Sequence, residues 1–326
     1  MRACVTGGTG FLGEALVRHL LSEGVSVRVL ARPSPRADEL KKLGAKIVLG
    51  DLADKETIAR AIAGAEFVYH LAANVTEGGD QRAVFETNIH GTERVLTACV
   101  QNSVRRAIYI SSIAVYGLVA EGKPINEDTP FDAEPEKRDL YARSKIEADR
   151  LAMEFAARTG LRLTILRPGL IYGPGRPLPI ALLGFRLRKT NVVFGRRELR
   201  VPLNYVENLV DAMVLSVRMT GEALQQYIVV DDENLTLGQY HAARMEVEKG
   251  RTLFSSGWPV LVAASLAKGV GLGESLPKQQ VERALQDRWY DARRIREQTG
   301  WAPRVHLKEA IEQTVRGRSP AVRRGN

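Results

Sequence analysis

The first half of the chain alternates short apolar runs with stretches whose apolar residues return every three to four positions. That pattern predicts strands joined by crossover helices. Ala3-Cys4-Val5 opens it, and Ala15, Leu16, Val17, Leu20 and Leu21 follow at helical spacing. Further strands are expected at Val25–Ala31, Lys46–Leu49, Glu66–Leu71, Arg106–Ile110 and Leu161–Leu166. Helices are expected between them at Asp38–Leu43, Lys55–Ile62, about Arg82–Val100 and about Lys137–Arg158. This order specifies an α/β fold with a doubly wound parallel sheet, whose ligand site lies beyond the carboxyl ends of the strands.

After Arg167-Pro168-Gly169 the pattern loosens. Tyr172-Gly173-Pro174-Gly175-Arg176-Pro177 is turn-rich, and Ala181–Lys189 reads as a basic, helix-like piece. Asn204–Ser216 reads as a strand end leading into a helix, and Gln226–Val230 as another strand. The expected division is a nucleotide-binding domain over residues 1–170, with returning segments near 204–230. A smaller substrate-binding subdomain over 171–316 and a basic tail over 317–326 complete it. Trp258–Leu266 is apolar and reads as core in preference to the wall of a pocket.

Composition adds limits. Hydrophobic content of 44% and charged content of 26% fit an ordinary soluble globular protein. Two cysteines, Cys4 and Cys99, make no disulfide framework and no zinc spacing, so no metal site is expected. A strand starting at the second or third residue leaves no room for a leader, and no apolar run reaches membrane-spanning length, so a cytoplasmic location is the default expectation. The net charge of +9 favours anionic ligands. No interleaved basic and aromatic pattern supports nucleic-acid binding.

The densest chemistry lies in Thr6-Gly7-Gly8-Thr9-Gly10-Phe11-Leu12-Gly13, between the first strand and the first helix. Gly7, Gly10 and Gly13 suit a sharp turn, a close backbone approach to a pyrophosphate and tight helix packing, and the helix N-terminus offers N–H groups to phosphate. The context on both sides points to a dinucleotide. Leu30-Ala31-Arg32 ends the second strand without an acid to grip a ribose diol, and Arg32 suits a 2′-phosphate, so NADP is favoured over NAD. Tyr141 and Lys145 share one helical face, where the ammonium is expected to lower the phenol's pKa for proton exchange with a substrate hydroxyl. Ser112, at the end of the fifth strand, can hold the substrate oxygen; turn or capping chemistry is the plainer role for Ser111 and Ser112.

With these residues the chain resembles the extended short-chain dehydrogenase/reductase (SDR) family, the NAD-dependent epimerase/dehydratase group. The matching pieces are T-G-G-T-G-F-L-G at 6–13, G-D-L at 50–52, H-L-A-A at 70–73 and N-I-H-G-T at 88–92. S-S-I-A-V-Y-G at 111–117, Y-A-R-S-K at 141–145, R-P-G-L-I-Y-G-P-G at 167–175 and Y-V-E-N-L at 205–209 follow in the family order. The resemblance implies a Rossmann-type fold. It implies Tyr141 as acid/base, Lys145 as its partner, Ser112 as the catalytic hydroxyl and Asn88 as a relay asparagine. It implies a cofactor set of Gly7, Thr9, Gly10, Phe11, Leu12, Gly13, Arg32, Asp51, Leu52, Ala72, Ala73 and Pro168, joined by Tyr141 and Lys145. Asp51 and Leu52 match the adenine contact, and Ala72 and Ala73 the nicotinamide side. A homodimer through the two long helices is implied as well.

Two departures narrow the activity. Ile113-Ala114 stands where the family's sugar dehydratases carry an Asp-Glu pair. Arg196, Arg197 and Arg200 are near the position of a substrate-diphosphate arginine, but Val201-Pro202-Leu203 breaks the register. The leading expectation is therefore an NADP-preferring oxidoreductase acting on a small-molecule secondary alcohol or ketone. A nucleotide-sugar epimerase is the alternative. A catalytically idle dinucleotide sensor or nucleic-acid binder is the third reading, and the Ser112, Tyr141 and Lys145 set argues against it.

Overall fold

The computed structural model describes residues 1–75, 80–117, 119–120, 122–176, 184–187, 190–255 and 286–317. Its centre is a seven-stranded parallel sheet, a Rossmann-like α/β core. In chain order the strands are β1 (Arg2–Thr6), β2 (Ser26–Ala31), β3 (Lys46–Leu49), β4 (Phe67–His70), β5 (Arg106–Ile110), β7 (Leu163–Pro168) and β12 (Leu224–Val229). In space they run β12-β7-β5-β4-β1-β2-β3. Every residue of β4, β5 and β7 is buried, because helices cover both faces and leave no solvent side for polar alternation. Val5 belongs to the core on one face and Cys4 to the core on the other.

The helices are α1 (Phe11–Ser22), α2 (Pro35–Lys42), α3 (Lys55–Ile62), α4 (Gln81–Phe85), α5 (Gly91–Gln101), α6 (Leu140–Thr159) and α7 (Val206–Ser216). Short polar side chains set several starts. Ser34 caps α2 with Pro35 as the first helical residue, so this helix begins three residues earlier than the apolar pattern suggests. Asp139 accepts from the Ala142 N–H at 2.8 Å, so α6 starts at Leu140 and Tyr141 falls in its first turn. The helix expected over 82–100 is interrupted. Residues Glu86–His90 form a π-helical turn between α4 and α5.

Beyond β7, β8 (Leu170–Tyr172) pairs in parallel with β11 (Leu203–Tyr205). Residues 184–187, expected to be helical, form β9 (Gly184–Leu187), antiparallel to β10 (Thr190–Phe194). The pairing strand and β13 (Arg251–Ser255), which completes this small sheet, decide the conformation against the local pattern. Two residues of β6 (Pro124–Ile125) pair with β14 (Trp289–Tyr290). Helices α8 (Leu237–Glu248), α9 (Arg293–Thr299) and α10 (Leu307–Arg316) finish the described chain. The Trp258–Leu266 stretch and the tail beyond residue 317 lie outside the described residues. Asn208 ties the C-terminal end to the core. It donates to Asp231 and to the Val305 carbonyl, and accepts from the backbone of Arg304 and Val305. Among the described residues no helix is long and apolar enough to cross a membrane.

Candidate active site

The glycine turn is where β1 hands over to α1. Gly7 has φ +73°, and a Cβ there would lie 2.6 Å from the Ala72 nitrogen. A Cβ on Gly13 would lie 2.1 Å from the Gly7 carbonyl oxygen. Both positions therefore need glycine for backbone to pass against backbone. Gly10 precedes α1 without a side-chain cap, so the first N–H groups of the helix are offered to an anion. Beyond the turn opens a cleft of about 520 Å³. It brings together Gly7, Thr9, Gly10, Arg32, Asp51, Leu52, Ala72 and Ala73 of the expected cofactor set. Phe11, Leu12 and Gly13 form the first turn of α1, and Pro168 ends β7 as a buried residue; these four lie outside the walls of the cleft. The closely packed glycine turn, the uncapped helix end and the buried, partnerless Ser111 hydroxyl beyond β5 fit a dinucleotide.

Arg32 is 82% exposed and lies 3.9 Å from Asp51. An ion pair that open contributes little and leaves the guanidinium available. Arg36 donates to the Thr9 carbonyl at 3.3 Å, which sets a second guanidinium beside the glycine turn. The sequence reading passed over it, although it lies only four residues beyond Arg32.

Ser112 follows β5 and caps the 3₁₀ turn Ile113–Val115, accepting from the Ala114 N–H at 3.1 Å. Its capping role and its place beside Tyr141 coexist. Burial raises the Tyr141 phenol above its ordinary value, against a hydrogen bond with Ser112 that works to lower it. This corrects the expectation that Lys145 lowers Tyr141. The Lys145 Nζ turns toward the sheet instead, donating to the Ile110 carbonyl at 2.8 Å and to the Tyr109 hydroxyl at 3.4 Å. Burial pushes the Lys145 ammonium down to about 8, while Asp149 one turn along the helix supports its charge. Asp149 in turn forms a fully buried ion pair with Arg167, whose remaining donors go to Tyr116 and Gln226.

Asn88 sits in the π-helical turn, and its side chain makes three hydrogen bonds. It accepts from the Asn74 N–H at 2.7 Å and donates to the Asn74 carbonyl at 3.0 Å and to the Ser144 hydroxyl at 2.8 Å. Ser144 donates onward to the Tyr141 carbonyl. Asn88 thus joins the cleft wall to the first turn of α6. A second buried chain supports it. Thr92 Oγ1 donates to the Asn88 carbonyl at 2.7 Å, so its oxygen must accept from His70 Nε2 at 2.9 Å. His70 Nδ1 is then the acceptor for Thr6 Oγ1 at 2.7 Å. That assignment makes the imidazole neutral, and burial together with Lys145 pushes its pKa down to about 3. The motifs H-L-A-A and N-I-H-G-T contain His70 and Thr92, but their local pattern carries no sign of a contact spanning 22 residues.

A model of the NAD dependent epimerase/dehydratase family matches residues 3–229. The 2-alkyl-3-oxoalkanoate reductase of Shewanella oneidensis is 31% identical over 250 residues. That match covers 73% of this chain and 63% of the reductase, less than two thirds of its length. A putative dihydroflavonol 4-reductase of Synechocystis is 29% identical, with 95% of this chain and 92% of the relative covered. Among solved structures, the Thermus thermophilus UDP-glucose 4-epimerase in complex with NAD superposes with a TM-score of 0.73 at 25% identity, covering 97% of this chain and 98% of that one.

Proposed function

The chain belongs to the NAD-dependent epimerase/dehydratase family and is an NAD(P)-dependent oxidoreductase of the extended SDR type, and we propose that it reduces a ketone with NADPH, Tyr141 giving the proton. The observation that carries this reading is the buried Tyr141 phenol set with Ser112 at the carboxyl end of β5, in a chain whose glycine turn opens on a cleft suited to a dinucleotide. The nicotinamide cofactor supplies the hydride when bound. Ser112 holds the carbonyl oxygen. Tyr141, kept protonated by burial, donates its proton to that oxygen as the alcohol forms. Lys145, held by the Ile110 carbonyl and the Tyr109 hydroxyl, acts by position, fixing the Tyr141 helix against the end of β5. Asn88 acts by position, holding the Asn74 backbone and, through Ser144, the turn that carries Tyr141.

NADP is the preferred cofactor in this reading, with Arg32 taking the 2′-phosphate, and Asp51 and Leu52 facing the adenine. The segments from 171 onward supply the substrate cover. Helices α5 and α6, which pack side by side, form the dimer surface, and sedimentation of the purified chain tests that. The names of the two curated relatives, both reductases, support reduction over epimerisation. The likeness to an epimerase bound to NAD keeps sugar epimerisation as the second reading. Incubation with NADPH and a panel of ketones, and separately with NAD and UDP-glucose, separates them. Net oxidation of NADPH supports the reductase. Interconversion of the sugar without net change of cofactor supports the epimerase and contradicts the proposal.

A further inference from the structure

The turn after β8 carries a cation that the scheme above leaves unused. Gly173 and Arg176 exchange backbone hydrogen bonds of 3.1 and 3.0 Å, closing a tight turn in which Gly175 takes φ +82°. The turn packs on the start of α1. A Cβ on Gly173 would meet the Phe11 ring at 3.2 Å. The Arg176 guanidinium lies over that same ring, 5.7 Å from its centroid. Stacking on an aromatic face fixes the plane of a guanidinium while leaving its N–H edges free to fork onto a planar anion. Arg176 is exposed, and no carboxylate among the described residues pairs with it. Its charge reaches the reacting end of the site, where it works against burial to lower the Tyr141 phenol.

Resting on the reductase reading above, we propose that Arg176 binds a carboxylate of the substrate, so that the enzyme acts on keto acids. The carbonyl carbon receives the hydride and the carbonyl oxygen the Tyr141 proton, while the carboxylate stays bound and unreacted. The cofactor diphosphate is the other anion within range of the glycine turn. Two observations favour the substrate. Arg176 stands outside the walls of the dinucleotide cleft, and its field falls on Tyr141. The α1 N-terminus already offers its own N–H groups to a diphosphate.

The test compares paired substrates that differ only in the anion, 3-oxooctanoate and its methyl ester among them, in wild type, Arg176→Gln and Arg176→Lys. A charge-assisted bidentate contact corresponds to roughly a 10- to 100-fold effect, so Arg176→Gln is expected to lower the acid-to-ester ratio of kcat/KM by about that factor. Arg176→Lys, which keeps the charge and loses the fork, is expected to fall between. The NADPH dissociation constant and the melting temperature are measured on the same samples. An equal loss for acid and ester with weakened NADPH binding assigns Arg176 to the diphosphate and overturns the proposal. An acid-to-ester ratio that stays at the wild-type value overturns it too. A wild-type enzyme that reduces no member of any pair contradicts the reductase reading itself, and the proposal falls with it.

Discussion

Removing the Asn88 side chain tests how the cofactor wall and the Tyr141 helix are held together. Asn88→Ala deletes three hydrogen bonds, two to Asn74 and one to Ser144, at a residue that is 1% exposed. Each such bond contributes about 0.5–1.5 kcal/mol net, so the sum is roughly 1.5–4.5 kcal/mol. Asn74 is half-buried, so its freed backbone groups regain water, which places the loss near the middle of that range. At about 2–4 °C per kcal/mol for a domain of roughly 150–250 residues, the melting temperature falls by roughly 6–12 °C, toward the lower figure for this longer chain. Asn88→Asp separates the hydrogen bonds from the shape. It keeps an acceptor for the Asn74 N–H but turns a carboxylate oxygen toward the Asn74 carbonyl in a buried site, so it is expected to be less stable than the alanine variant. Thermal melts of the three proteins, with NADPH dissociation constants, give the answer. An aspartate variant as stable as wild type, or an alanine variant melting within about 1 °C of it, refutes the bridging role.

Arg32→Ala is expected to weaken NADP binding by about 10- to 100-fold and NAD binding hardly at all, because a charge-assisted contact to the 2′-phosphate contributes roughly 1.5–3 kcal/mol. The paired dissociation constants decide it, and equal losses assign Arg32 to the fold. His70 makes an acid-stability prediction. Its pKa is about 3 in the folded protein, against an ordinary histidine value of 6.5. The unfolded chain therefore binds more protons below pH 6.5, and the stabilisation is complete above that pH and is lost as pH falls toward 3. Between about pH 6.5 and 4.5 the loss attributable to His70 is roughly 2–3 kcal/mol. Denaturant unfolding at both pH values is expected to show that much less pH dependence in His70→Asn, and an unchanged slope contradicts the neutral assignment.

Where a segment's partner lies next to it in the α/β alternation, the pattern alone located it. The strands at Lys46–Leu49 and Arg106–Ile110 and the helix at Lys55–Ile62 coincide residue for residue with the expectation. Each carries a strong period or an end marked by a cap, as Asp54 marks α3. The small sheet of β9, β10 and β13 was illegible because its pairing joins residue 190 to residue 251, and strand propensity is weak without that partner. The glycine turn was legible because its glycines answer to backbone sterics that act within a few residues. The ties through His70, Thr92, Asn88 and Ser144 were not, since each is a single side-chain contact between distant segments. The Tyr141 pKa was misjudged for a similar reason. Spacing puts Lys145 on the same face, but only the packed sheet shows that its ammonium is taken by the Ile110 carbonyl.

Tyr141 is the proposed proton donor in an NADPH-dependent reduction, and replacing its hydroxyl puts that role to the test. NADPH oxidation with a ketone substrate is followed in wild type and in Tyr141→Phe, with the NADPH dissociation constant measured for both. In the proposed reaction the phenol contributes its proton and little to dinucleotide affinity. The expected result is a rate lowered by about a hundred- to ten-thousandfold with NADPH binding nearly unchanged. Turnover by the phenylalanine variant close to that of wild type contradicts the assignment.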